Sequence, residues 1–287
     1  MKAVITIAGF GTRFLPASKA IPKELFPIAG IPLLQYHVED LAAAGMEEVI
    51  IVIRDGGDLI ERHFSAAPEL EAHLEAQGKT ELLNVVRRLS KLPKIVLVRQ
   101  PDDLPYGNAA PALAAREWLG DEPFYYQFGD DIILGETPVP QQLVKAFAEH
   151  KPAAIVAAQE VPDEDTSLYG CLELKGGTTA QVARIVEKPP AGTAPSNLVQ
   201  VGHFVFTPEL FTVLDTLVPG RKGELWLADA VDRLSAQSTV IAHPIEGLWL
   251  AAGDPLRQLK ANIEASLRRQ DLRDGLLDYL RSLDLDA

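Results

Sequence analysis

The feature that most constrains the chain is its alternation of short apolar, β-branched runs with segments of helical spacing. Ala3–Ala8 (AVITIA), Glu48–Ile53 (EVIIVI) and Lys94–Arg99 (KIVLVR) are apolar at nearly every position. Such a run suits a strand buried on both faces, not one with a wet side. Pro123–Phe128 and Ala153–Ala158 read the same way. Between them lie helical segments. Pro32 stands at a first helical turn, with Leu34, Val38 and Leu41 on one face and Gly45 as a C-cap. Asn108–Leu119 and Gln141–His150 are the next two helices. Strand–helix alternation of this kind implies an α/β fold, Rossmann-like, with a mostly parallel central sheet flanked by helices on both faces.

The second half is less regular. Tyr169–Leu174, Gln181–Glu187 and Val199–Thr207 are strand-like and separated by Gly-Gly or proline-rich turns, so antiparallel additions are expected. Pro208–Leu217 and Glu224–Ser235 read as helices, and a helical C-terminal tail begins at Asp254, with a last helix over Leu272–Leu283. No repeat or low-complexity tract interrupts the 287 residues. The expected division is one α/β domain over 1–262 and a helical tail over 263–287, packed on that domain or on a neighbouring subunit.

Charge narrows the partners. Forty acidic against 27 basic residues give a net charge of −13, and such a surface repels nucleic acid. A phosphorylated substrate is compatible only with a local basic cluster. The single cysteine, Cys171, allows no intrachain disulfide. No apolar run approaches the ~20 residues of a membrane span, and a cytoplasmic protein with no membrane partner is expected.

A basic cluster follows the first strand. Gly9-Phe10-Gly11-Thr12-Arg13 opens a loop that also carries Lys19 and Lys23. Gly-x-Gly after a strand lets backbone N–H groups approach phosphate oxygens. It is not a dinucleotide fingerprint: position 14 is Phe, and prolines at 16, 22, 27 and 32 forbid a long helix there. Nor is it a Walker loop, since Gly-Lys-Ser/Thr is absent. Three cations on a proline-stiffened loop suit a polyphosphate; the alternative is a solvated loop with ordinary ion pairs. Asp130-Asp131 after the fourth strand reads as a cation site or as a simple turn, and Glu187-Lys188 as a ligand contact or as a plain strand end.

The ordered set of motifs resembles the sugar-1-phosphate nucleotidyltransferases, most closely their bacterial uridylyltransferase branch. The resemblance rests on Gly9–Arg13 with Pro22-Lys23-Glu24, on Gly78–Leu83, Val98-Arg99-Gln100, Gly120–Phe124, Gly129-Asp130-Asp131, Val186–Pro189, Ala194–Asn197 and Lys222-Gly223-Glu224. It implies transfer of a nucleotidyl group from a nucleoside triphosphate, UTP by closest likeness, to a sugar 1-phosphate such as glucose 1-phosphate. By the same resemblance Arg13, Lys23 and Asp130 are catalytic, and Asp130 holds the cofactor Mg²⁺. Ala8, Gly9, Gly11, Thr12, Gln100 and Gly107 bind the nucleotide, and Tyr169, Gly170, Glu187 and Lys188 bind the sugar phosphate. Relatives assemble, so a homo-oligomer is expected.

Two departures from the pattern leave alternatives open. Pro105 stands where relatives carry a glycine whose backbone meets the base, and proline has no N–H to donate. Another base or sugar, as in dTDP-glucose synthesis, is therefore the alternative. Ala251 stands where relatives carry a metal-side aspartate, which leaves room for a catalytically weak, regulatory nucleotide-sugar binder.

Overall fold

The computed structural model describes residues 1–176, 180–220 and 223–284. Gly177 of the expected Gly-Gly turn and Lys222 of the Lys-Gly-Glu motif lie outside these residues. The chain opens with strand β1 (Lys2–Ile7), a hairpin of β2 (Pro27–Ile28) and β3 (Ile31–Pro32), helix α1 (Leu33–Ala43) and strand β4 (Glu48–Ile53). Helices α2 (Gly57–Phe64), α3 (Pro68–Ala76) and α4 (Thr80–Leu89) precede β5 (Lys94–Arg99). Then come α5 (Ala110–Leu119), β6 (Phe124–Phe128), β7 (Asp131–Leu134), α6 (Val139–His150) and β8 (Ala154–Glu160). The second half holds β9 (Gly170–Leu174), β10 (Val182–Glu187), β11 (Leu198–Phe206), α7 (Glu209–Leu214) and α8 (Leu227–Gln237). It ends with β12 (Val240–Pro244), β13 (Leu248–Ala251), α9 (Pro255–Ser266) and α10 (Gln270–Ser282).

The doubly apolar strands do what their composition demands. In β1, Val4 faces one core layer while Ala3, Ile5 and Ile7 face the other. Strand β4 divides likewise, Ile50 and Val52 against Val49, Ile51 and Ile53. Helices α5, α7 and α8 cover the first layer with Ala112, Ala115, Phe211, Val231 and Leu234. Helices α1 and α6 cover the second with Leu34, Val38, Leu41, Leu143 and Ala146. Period-two alternation thus feeds two cores at once.

Strands β5, β4, β1 and β6 are mutually parallel, and β11 joins β6 antiparallel. Strand β8 follows on the far edge of β11, and β12 pairs parallel with β8. The chain therefore leaves β1 toward β4 on one side and returns to β6 on the other. Open sheets of this kind bind ligands at the carboxyl ends of the strands flanking such a switch.

One irregularity shapes the site. The register of β11 against β8 shifts between Gln200 and Phe204, and Gly202 sits there at φ 78°. A Cβ at Gly202 would lie 2.7 Å from the Phe128 ring, so only glycine fits. Beyond this bulge one edge of β11 serves two partners. Its His203–Phe206 half bonds β6, while Val199 bonds β9. Strands β6 and β9 diverge from that point, and a cleft opens between them.

A small third cluster backs the cleft. Strands β7 and β13 pair antiparallel, and Ile132 and Leu250 pack with Ile28, Leu33, Ala261 and Ala265. The expected division at residue 262 falls inside α9, whose Ala261 and Ala265 are buried on this cluster. Helix α10 buries none of its residues. Among the described residues no helix is long and apolar enough to cross a membrane.

Candidate active site

The cleft has a volume of about 430 Å³ and lies at the carboxyl ends of β1 and β6. Its floor begins with the glycine loop. Gly11 takes φ 62°, and its carbonyl accepts a hydrogen bond from Ser18 Oγ at 2.8 Å. A Cβ here would approach Ser18 Cβ to 3.1 Å. As the prolines require, the loop continues in single 3₁₀ turns over Thr12–Phe14, Ala17–Lys19 and Lys23–Leu25. These turns aim Arg13 and Lys23 into the cleft beside Ala8, Gly9 and Thr12. Lys19 is exposed and does not line it, so the expected trio of cations is a pair.

Lys23 is largely buried among carboxylates. Its Nζ lies 3.0 Å from Asp130 Oδ2 and 3.5 Å from Glu24 Oε1. Burial alone would depress the ammonium. The Asp130, Glu24 and Asp131 charges outweigh that and hold it above its ordinary value. Asp130 answers in kind: burial opposes its charge, but Lys23 and Arg13 keep its carboxyl below the usual range. Burial pushes Glu24 up to about 7. Asp131 is also raised, by burial and then by the neighbouring Asp130. One carboxylate is thus kept ionised beside two that resist ionising.

Backbone closeness fixes Asp130. A Cβ at Gly129 would lie 2.4 Å from Ile7 Cγ2, and one at Gly253 would lie 3.2 Å from Asp130 Oδ2 and 3.4 Å from Arg13 Nη1. The Asp130 carbonyl accepts from Ala252 N at 2.9 Å. Ala251 stands opposite Asp131 in the β13–β7 ladder. Asp254 does not replace the missing aspartate, because its carboxylate caps α9 by accepting from Arg257 N at 3.0 Å. Among the described residues no group of three or more His, Cys, Asp or Glu is placed to hold a metal. Asp130 alone, one-third exposed and held ionised, suits a hard cation that keeps most of its oxygen ligands from phosphates and water, as Mg²⁺ does.

One end of the cleft is built by two segments that meet. Gln100 is buried and lines the cleft. Gly107, at φ 138°, passes so close to Leu225 that a Cβ would lie 2.2 Å from its carbonyl oxygen. Leu225 N donates to Tyr106 O at 2.7 Å and Leu227 N to Asn108 Oδ1 at 2.7 Å. The 105–109 turn is therefore clamped by 225–227. At the mouth, the rings of Phe10 and Tyr106 stack at 6.1 Å, and the Arg54 guanidinium lies 4.5 Å from the Phe10 centroid.

At the other end Tyr169, Glu187 and Lys188 line the wall. Lys188 takes φ 46°, donates its N–H to Tyr169 O at 2.9 Å and sets its Nζ 5.0 Å from the Trp226 ring. Glu187 is raised by burial, and among the described residues its Oε2 has no hydrogen-bond partner. Gly170 does not line the cleft. It lies behind Glu187, where a Cβ would come within 2.9 Å of Glu187 Oε2. Sequence reasoning named none of Phe10, Tyr106, Trp226, Trp249 or Arg257 as site residues, yet all five line the cleft. Phe10, Tyr106 and Trp226 are large side chains in glycine- or proline-marked loops, whereas Trp249 lies in β13 and Arg257 in α9, where spacing gives no signal of the cleft.

The sequence profile described as nucleotidyl transferase matches residues 2–265. The chain is 42% identical over 284 residues to the UTP–glucose-1-phosphate uridylyltransferase of Bacillus subtilis, covering 98% of this chain and 96% of the relative. It is 41% identical to UTP–glucose-1-phosphate uridylyltransferase 2 of Staphylococcus saprophyticus, over 99% and 98% of the two chains. A UDP-glucose pyrophosphorylase structure from Acinetobacter baumannii superposes with a TM-score of 0.87 at 30% identity, over 99% of both chains. A UDP-glucose pyrophosphorylase complexed with UDP-glucose superposes with a TM-score of 0.82 at 29% identity, over 93% of this chain and 99% of that one.

Proposed function

We infer function from the premise that this chain belongs to the nucleotidyl transferase family over residues 2–265, and we propose that it transfers the uridylyl group of UTP to glucose 1-phosphate, giving UDP-glucose and pyrophosphate. The observation that carries the reading is the convergence of Arg13, Lys23 and Asp130 on one cleft at the sheet's switch point. A chain of charge −13 gathers cations there, and the identity to curated uridylyltransferases supplies the nucleotide and sugar.

The reaction joins two anions, so positioning and charge neutralisation carry it. The glycine loop, Ala8–Thr12, cradles the triphosphate through backbone N–H groups. Gln100 and Gly107 receive the base. Glu187 accepts from the sugar hydroxyls with its buried Oε2, Lys188 and Tyr169 seat the sugar phosphate, and Gly170 makes room for Glu187. The phosphate oxygen of the sugar attacks the α-phosphorus in line, and pyrophosphate departs. Arg13 and Lys23 stabilise the charge that gathers on the equatorial oxygens. Asp130 would hold Mg²⁺, which neutralises phosphate charge when bound. Attaching the triphosphate frees Lys23 from Asp130, because the same ammonium cannot serve both at full strength.

We assign this chemistry to 1–262 and the tail 263–287 to packing on that unit or on a second copy, in a cytoplasmic homo-oligomer. Pro105, which offers no N–H, favours a second reading in which the base differs. The test is pyrophosphate release from a matrix of five triphosphates and several sugar 1-phosphates with Mg²⁺. Turnover highest with UTP and glucose 1-phosphate supports the first reading, and a preference for dTTP supports the second.

A further inference from the structure

We propose that His37 is a positioning residue for Asp130: from α1 its ring holds the Gly129 carbonyl and so sets the aim of the carboxylate. The inference rests on the uridylyl-transfer reading above. His37 lies on the core side of α1, three residues after Leu34, and is only 3% exposed. A polar ring buried there costs stability that an apolar side chain would not, so its place calls for a reason. The ring donates to the Gly129 carbonyl, and the charges of Asp130 and Lys23 both reach it. Its Nε2 has no hydrogen-bond partner among the described residues, so Nδ1–H makes that bond. Burial lowers the imidazole to about 4, so near neutral pH it acts as a donor and not as a charge.

Two successive carbonyls explain why this bond matters. The Gly129 carbonyl belongs to the peptide plane before the Asp130 Cα, and the Asp130 carbonyl to the plane after it. His37 holds the first, and Ala252 N holds the second at 2.9 Å. With both planes fixed, only the side-chain torsions of Asp130 stay free, and Lys23 Nζ restrains those from 3.0 Å. Helix α1 suits the task because it packs on both the Lys23–Leu25 turn and β7, which begins at Asp131. The His37 ring is backed by His203, whose ring lies 6.5 Å away and whose Nδ1 is tied to the Tyr125 hydroxyl at 2.7 Å. Because Ala251 offers no carboxylate, the aim of Asp130 carries more of the metal's binding.

The test uses the full chain with His37→Val, which keeps the core apolar, and His37→Asn, whose amide returns a donor near the place of Nδ1. In His37→Val, half-saturating Mg²⁺ for pyrophosphate release should rise about tenfold, the usual cost of removing a partner that orients a metal ligand. The KM for glucose 1-phosphate should stay within about twofold. The second readout needs no turnover. Mn²⁺, titrated as a paramagnetic probe into protein saturated with UDP-glucose, should bind about tenfold more weakly to His37→Val and nearly as in the wild type to His37→Asn. Unchanged Mn²⁺ binding in His37→Val overturns the proposal, as does equal weakening in both variants. An equal rise in the KM for glucose 1-phosphate overturns it too, as the mark of a general loss of structure. If the valine variant does not fold, His37→Asn decides alone: near-wild-type Mn²⁺ binding supports the proposal, and weak binding overturns it. Asp130→Ala separates the two layers. Its losing Mn²⁺ while His37→Val binds as the wild type does overturns this inference alone, whereas wild-type Mn²⁺ affinity in Asp130→Ala overturns the assigned site as well.

Discussion

Lys23 Nζ and Asp130 Oδ2 lie 3.0 Å apart although 107 residues separate them. The contact joins the loop after β1 to the end of β6, so the sheet's switch point is closed by one ion pair. Each partner raises the charge of the other: the ammonium sits above its ordinary pKa and the carboxyl below.

The first expectation concerns the two cations. Lys23→Ala and Arg13→Ala should each lower turnover by about 10²-fold, since a preorganised charge donor at a transition state is worth ~3 kcal/mol. Steady-state pyrophosphate release measures this, and near-normal rates in both variants would remove the assigned roles.

Metal dependence follows from Asp130 and Ala251. Asp130→Ala should abolish turnover. Ala251→Asp places a new carboxylate across the ladder from Asp131, so half-saturating Mg²⁺ should fall, because an added carboxylate raises both ligand count and local charge around a hard cation. A Mg²⁺ titration of the three proteins decides, and identical curves would show that neither position meets the metal.

A pH effect is expected at Asp40, away from the phosphates. Burial, and then the neighbouring Glu39, raise its carboxyl to about 7. A carboxyl raised in the folded state binds its proton more tightly there than in the unfolded chain. Its stabilising contribution is therefore full below about pH 4 and is lost as pH rises through about 7. Asp40→Asn should escape that loss and be about 2–4 kcal/mol more stable than the parent at pH 8 relative to pH 4.5. Denaturant unfolding at the two pH values checks it, and a constant difference between variant and parent contradicts it.

Much of this was legible in the sequence for a physical reason. Strands buried on both faces must be apolar throughout, so β4 falls where its β-branched run places it; β5 falls where expected too, but as the sheet's edge strand it buries only Val98. The glycine loop and the Gly-Asp-Asp turn were legible because backbone approach and charge leave few residue choices. Helices α2–α4, over 57–89, bury at most two residues each; α2 and α4 are amphipathic and only α3 has faint apolar periodicity, so α2 and α4 were open to a reading that the charged composition of the stretch obscured. Strands β7 and β13 were missed because they are four residues long and pair with each other across more than a hundred residues. Nor could spacing show that Lys19 turns away while Lys23 turns in, since that depends on how the loop is directed between successive 3₁₀ turns. Phe10 and Trp249 face the cleft only because distant segments enclose it.

Gly107→Ala tests the clamp between 105–109 and 225–227. With a Cβ 2.2 Å from Leu225 O and φ at 138°, the two segments must part. The cost should reach at least ~2 kcal/mol of stability, read as a lowered denaturation midpoint, with the KM for UTP raised more than that for glucose 1-phosphate. A variant as stable as the parent would mean the clamp is not required.

Assembly has its own measurement. The monomer mass is 31.2 kDa, and light scattering should give at least twice that at micromolar concentration. A constant monomer mass at all concentrations would contradict the oligomer.

The central claim is that the uridylyl group moves and pyrophosphate leaves. UTP labelled at its α-phosphorus, incubated with the protein, glucose 1-phosphate and Mg²⁺, should pass its label into UDP-glucose, while label at the β or γ position should appear only in pyrophosphate. Label from the γ position in free phosphate, or α-label remaining in UTP with every sugar 1-phosphate offered, would contradict the account.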